Sequence, residues 1–298
     1  MSEKGRKVGL FIGISFFISW SIAALFIALG GRWNTSGAII VATAYMFGPM
    51  ISAIFVQKFI YKEALKKPLG VSFKLNRWFL VAWLLPPAIA LVTLGVSLIF
   101  PGVEYSPEMT GLLERFKGVL PPDRLQRMKD QVTTFPVHPF WIALIQGLIV
   151  GPTVNAVAGF GEEVGWRGFL QRELGYMGFW RSSALIGLIW GIWHIPIILQ
   201  GHNYPQHPVQ GVFMMIIFCL LLAPVFSYIR IKANSVIASA IAHGSLNATA
   251  GVAIMVIKGG NDLLVGVTGL SGFITLVLVN IGLFLYERSL TRKPVMVR

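Results

Sequence analysis

The residues best suited to chemistry are two adjacent acids, Glu162 and Glu163, followed four positions later by Arg167. They interrupt the segment Ala158–Leu170, which is otherwise composed for a lipid bilayer. An ionisable side chain at membrane depth costs roughly 2.5–3.5 kcal/mol on insertion scales, so such groups are functional candidates by default. On a helix Glu163 and Arg167 share a face and can neutralise each other. Glu162 points about 100° away from Glu163 and needs another partner. Later apolar segments offer His194, in Trp190-Gly-Ile-Trp-His, and His243 with Asn247, in His-Gly-Ser-Leu-Asn.

A carboxylate and a histidine can hold and deprotonate a water molecule. A second histidine and an asparagine amide can donate hydrogen bonds to a developing oxyanion. Together these groups suit hydrolysis of an amide bond. The same carboxylate and two histidines, Glu162, His194 and His243, would also make a two-His-one-carboxylate zinc set. Ser245 faces away from the His243–Asn247 face. Cys219 has no acid–base partner in its own segment, so neither has the setting of a nucleophile. Glu163 with Arg167 reads as a structural pair supporting the site, and Trp190, one turn from His194, as a wall of the imidazole's pocket. His138, His202 and His207 fall in loops and read as surface residues. Gly159, Gly161, Gly165 and Gly168 permit close helix approach.

These residues need a bundle to bring them together. The chain has 298 residues, 55% of them hydrophobic and 12% charged, where a soluble domain carries nearer 25% charge. The expected fold is an all-α polytopic membrane protein, a single membrane domain over 1–298 with a polar site inside. About eight spans are expected: Val8–Gly30, Ser36–Phe59 with a kink at Gly48-Pro49, Trp78–Phe100 interrupted by Pro86-Pro87, and Pro139–Leu174 with a kink at Gly151-Pro152. The others are Arg181–Gln200, Val209–Tyr228, Ser235–Ile257 and Leu264–Tyr286. Between the third and fourth, Ser106-Pro107 and Pro121-Pro122 mark two short amphipathic helices in a charge-balanced connector. Helix rise places Glu162 roughly 16 Å, His194 roughly 20 Å, His243 roughly 12 Å and Asn247 roughly 18 Å from one face of the membrane. Four groups on three spans thus reach similar depth.

The net charge of +13 does not imply nucleic acid, because the basic residues cluster at span ends. Of the 25 lysines and arginines, 18 lie in 1–7, 58–77, 161–181, 228–234 and 287–298. That asymmetry places both termini and the site's opening on the cytosolic side and predicts contact with anionic lipid. The expected location is a prokaryotic cell membrane.

In order and spacing, Glu162-Glu163-x-x-x-Arg167, an aromatic-x-x-x-His194, and His243-x-x-x-Asn247 resemble the CPBP family of intramembrane proteases. This family, also called Abi, includes type II CAAX prenyl endopeptidases. The resemblance covers about 139–257, the catalytic core, and extends weakly to Lys66-Lys67-Pro68-Leu69-Gly70. It implies that Glu162 and His194 activate water, that His243 and Asn247 form the oxyanion site, and that Glu163 and Arg167 support them. The substrate class it implies is a prenylated or otherwise membrane-delivered peptide. No cofactor is required on this reading, with one zinc ion as the alternative. Trp190 stands where the family usually has phenylalanine, which bears on substrate range. Two other function classes use the same residues: a transporter or proton relay, whose paired broken repeats the sequence lacks, and a non-catalytic scaffold or immunity protein, which would have lost a motif residue.

Overall fold

A computed structural model describes residues 3–33, 35–117, 122–134, 136–291 and 294–296. The chain is an all-α polytopic membrane protein. The first segment is α1, Glu3–Ala28; the second is α2, Ser36–Met46, and α3, Gly48–Ile54, continued by a π-turn to Ile60. Phe47 separates α2 from α3 where Pro49 lacks the N–H that would continue the ladder. α4, Arg77–Ser97, corrects one expectation: it runs through Pro86 and Pro87 without a break. Both prolines are buried, where neighbouring groups can take up the freed carbonyls.

The connector that follows holds the strand β1, Glu104–Tyr105, then α5, Thr110–Phe116, and α6, Pro122–Thr134. The first of these helices begins at Thr110 rather than beside Pro107, since Met109 adopts a left-handed conformation. Pro121 lies outside the described residues. The fourth segment is α7, Pro139–Val150, a π-turn Gly151–Asn155, α8, Ala156–Glu163, a second π-turn Val164–Leu170, and α9, Gln171–Leu174. The fifth is α10, Phe179–Trp193, and the single turn α11, Ile195–Ile198. α12 spans Pro208–Ala233, α13 Val236–Thr249, α14 Val252–Met255 and α15 Leu270–Leu290, with β2, Ile257–Lys258, pairing antiparallel to β1.

Seven helical segments among the described residues are individually long and apolar enough to cross a membrane. The eighth expected span, α10–α11, is broken at His194 and so falls short as a single helix. Its 20 residues still cover about 30 Å, the thickness of the hydrocarbon core. Contacts at the two ends fix its direction. At one end Lys7 pairs with Glu63 and lies 3.8 Å from Glu173, Asn76 donates to the Ala233 carbonyl, and Lys232 pairs with Glu287 at 2.9 Å. At the other, Trp33 donates to His202, His207 meets Asp262, and Arg115 donates to Gly259. α9 ends at the first and His202 sits at the second, so the chain between them traverses the bundle. The charged segments grouped by sequence gather at the first end.

The expected loop histidines are more engaged than surface residues. His138 caps α7 by accepting from Phe140 N–H, and its Nε2 meets the Pro107 carbonyl at 2.7 Å. His202 Nδ1 accepts from Trp33 Nε1 at 2.8 Å. His207 Nδ1 lies 2.6 Å from Asp262.

Candidate active site

α8 and α13 pack at close range because glycine lines their contact. A Cβ on Gly159 would sit 3.0 Å from the Ala240 carbonyl and 3.1 Å from His243 Cβ. On the other faces, a Cβ on Gly161 would meet the Met46 carbonyl at 2.8 Å, and one on Gly165 would overlap Pro49. The acidic stretch is thereby clamped between the α2–α3 junction and α13. Gly168 lies against Leu69, and Gly70 accepts from Val236 N–H at the start of α13 at 2.9 Å. The basic connector thus anchors both helices of the site.

His194 owes its place to Pro196. With no N–H at position 196, α10 ends, and Ile197 and Ile198 both bond back to the His194 carbonyl. The carbonyl of Trp193 is left over. It accepts from Trp20 Nε1 at 3.0 Å and from the Tyr45 hydroxyl, so two distant spans stitch the break closed.

Around this frame the polar groups are enclosed: Glu162 is 2% exposed, Glu163 0%, Arg167 1%, His194 7% and His243 5%. Arg167 Nη1 donates to Glu163 Oε1 at 3.1 Å, as the four-residue spacing predicts. Glu163 does more than neutralise Arg167, because the same Oε1 lies 2.9 Å from His243 Nδ1. It therefore orients the imidazole and turns Nε2 toward Glu162 Oε1, 3.9 Å away. Glu162 Oε2 accepts from Trp190 Nε1 at 2.7 Å and from Trp166 Nε1 at 3.4 Å. Glu162 does look away from the Arg167 pair, and its partners are two indoles.

Trp190 is the hub. Its N–H holds Glu162, its carbonyl accepts from His194 Nδ1 at 2.7 Å, and its ring lies 4.4 Å from the Arg167 guanidinium carbon. The expectation that it walls the imidazole's pocket understates it. Phenylalanine at this position would lack the N–H. The indole donors of Trp166 and Trp190 escaped the sequence reading, although the i,i+4 spacing of Glu162 and Trp166 was available as a signal.

His194, with Nδ1 committed to the Trp190 carbonyl, keeps Nε2 free. No ion-pair contact joins it to Glu162 within 4.0 Å; the near histidine is His243. Asn247 is exposed on α13, one turn beyond His243, and does not join the buried cluster. Cys219 Sγ lies 4.0 Å from His194 Nδ1, a contact from another span that the sequence did not suggest. That nitrogen's short bond is already made to Trp190. Ser245 is buried, with its atoms against Gly151 on the far side of α13. Among the described residues no three His, Cys, Asp or Glu side chains are grouped closely enough to hold a metal ion.

Residues 137–249 match the family model described as Type II CAAX prenyl endopeptidase Rce1-like, in agreement with the resemblance carried by the three motifs. No curated protein gives a significant match to the chain.

Proposed function

With the Rce1-like match as premise, we propose that this protein is an intramembrane endopeptidase that hydrolyses a prenylated or otherwise membrane-delivered peptide at its basic, cytosolic end. The observation that carries this reading is the setting of Glu162. It is a buried carboxylate with no cationic side chain bonded to it, one oxygen fixed by two indoles and the other facing an imidazole that Glu163 orients.

In the proposed reaction a water held between Glu162 and His194 Nε2 gives a proton to the Glu162 carboxylate. Its oxygen attacks the scissile carbonyl carbon. The electron pair of that C=O moves onto oxygen, where His243 Nε2–H of an imidazolium and the Asn247 amide donate hydrogen bonds. Exposure of Asn247 fits a donor on the substrate's side of the site. The intermediate then collapses, the C–N bond breaks, and the proton returns from Glu162 to the leaving amine. Glu163 and Arg167 hold His243 in register.

The test is incubation of detergent-purified protein with a panel of fluorogenic prenylated peptides, with products identified by mass spectrometry. Cleavage at one defined bond, preserved after treatment with a chelator, is the expected result. No cleavage of any peptide would favour the scaffold reading. Activity lost on chelation and restored by one equivalent of zinc would replace the metal-free step.

A further inference from the structure

At the basic end of the bundle lies a cavity of about 980 Å³ that the proposed hydrolysis does not use. Four separate stretches wall it: the basic connector at Pro68, the end of the fourth segment with its turn into α10, the last turn of α12, and the chain after α15. Its charged lining is wholly cationic among the described residues, with Arg167, Arg172, Arg181 and Arg230. These arginines are not equivalent. Arg172 is neutralised by Glu173 and by Glu63 at 3.3 Å. Arg181 and Arg230 have no carboxylate partner among the described residues, and Arg230 Nε is buried without a hydrogen bond. Arg167 is the most buried residue of the lining, and gives Nη1 to Glu163 while Nε and Nη2 have no partner. Gln171, also in the wall, has a buried Oε1 without a donor.

Buried N–H groups left without a hydrogen bond are costly, more so when charged. Two unpaired guanidinium groups beside two such N–H groups therefore select an anion, and guanidinium geometry matches the oxygens of a phosphate. The position selects its source. Tyr176 and Trp180, on the rim, are 69% and 40% exposed, and aromatic side chains of this kind sit at headgroup depth. Basic pockets between spans are recognised by anionic headgroups.

We propose that this cavity binds the headgroup of an anionic phospholipid. Its phosphate sits against Arg181 and Arg230, with the charge of buried Arg167 behind them, and a headgroup hydroxyl is directed at Gln171. Because Arg167 also holds Glu163, which orients His243, occupancy of the cavity bears directly on the alignment of the imidazole.

The experiment reads lipid binding and not peptide cleavage. Wild-type protein and the double variant Arg181→Gln/Arg230→Gln are placed in nanodiscs of phosphatidylcholine with or without phosphatidylglycerol. Lipid retained on release is counted by native mass spectrometry, and Tm is measured in parallel. Wild type should retain one phosphatidylglycerol and gain Tm. The double variant should retain it about tenfold or more weakly, in line with the loss of two cationic contacts. Arg181→Lys/Arg230→Lys, which keeps charge, should retain most of the binding and serves as the folding control. Equal retention in wild type and the Gln variant would overturn the proposal. So would a Tm gain produced as fully by inorganic phosphate, which would make this a free-anion site. A gain produced only by a peptide with a free C-terminal carboxylate would assign the cavity to substrate and overturn it too.

Discussion

Two neighbouring acids at 162 and 163 have different partners and should fail differently. Glu162→Gln keeps an oxygen for the indoles of Trp190 and Trp166 and removes the base. Turnover should fall about 10²–10⁴-fold with Tm unchanged, as read by peptide cleavage and thermal unfolding in detergent. Full activity at unchanged Tm would remove Glu162 from the reaction. Glu163 holds both Arg167 and His243. Glu163→Gln should therefore lower Tm, by the equivalent of about 3–5 kcal/mol for a broken buried pair, and lower turnover as well. Glu163→Gln combined with Arg167→Met removes the stranded charge and keeps a long side chain beside Trp190 and Phe226. Tm should recover in part while turnover stays low, because His243 still lacks its carboxylate. Recovery of both together would reduce Glu163 to a purely structural partner of Arg167.

At the scale of elements, the site depends on how closely α8 approaches α13 and on loops that pin the helix ends. Gly159→Ala introduces a methyl 3.0–3.1 Å from a backbone carbonyl and from His243 Cβ, neither of which is a flexible side-chain end. Separation of the helices should cost about 1–3 kcal/mol and reduce turnover by displacing His243. Unchanged Tm and turnover would show that the two helices are not in register-critical contact. On the opposite end, Trp33 donates to His202 Nδ1, a bond that needs the neutral ring at that nitrogen. Burial pushes His202 down from its ordinary value to about 4, while the unfolded chain keeps it near 6.5. The folded pKa is the lower one, so protonation favours the unfolded state. The contribution of this histidine is complete above about pH 6.5 and declines as pH falls toward 4. Thermal unfolding of wild type against His202→Gln across pH 4–7 should show a steeper loss in wild type. Parallel curves would contradict the assignment.

For the whole molecule, end contacts place both termini together. Eight traverses follow from that, although only seven helical segments among the described residues are individually long enough. We propose that this end faces the cytosol, from the excess of lysine and arginine there. Ser106 is a poor reporter for the opposite side because it is buried, whereas Glu3 and Glu108 are exposed. In a Cys219→Ala background, Glu3→Cys and Glu108→Cys should label with an impermeant thiol reagent from opposite sides of sealed vesicles. Labelling of both from one side would break the topology, and with it the cytosolic opening of the site.

The sequence alone determined the bilayer as solvent, the order and approximate limits of the spans, and the breaks at Pro49 and Pro152. It also determined the Glu163–Arg167 pair and singled out Glu162, His194 and His243 as buried polar groups. These follow from local rules: apolar run length, proline's missing N–H, and helical spacing, each contained within one segment. Tertiary structure decided everything that depends on which faces of different helices meet. It made Glu163 rather than Glu162 the carboxylate that orients His243, gave Glu162 two indole donors, and tied His194 to the Trp190 carbonyl. It left Asn247 exposed, and it carried α4 through two prolines by burying them. A residue's depth can be counted along its own helix. Its azimuth relative to another helix cannot, because two π-turns in the fourth segment and the break at His194 rotate the faces by amounts that only packing sets.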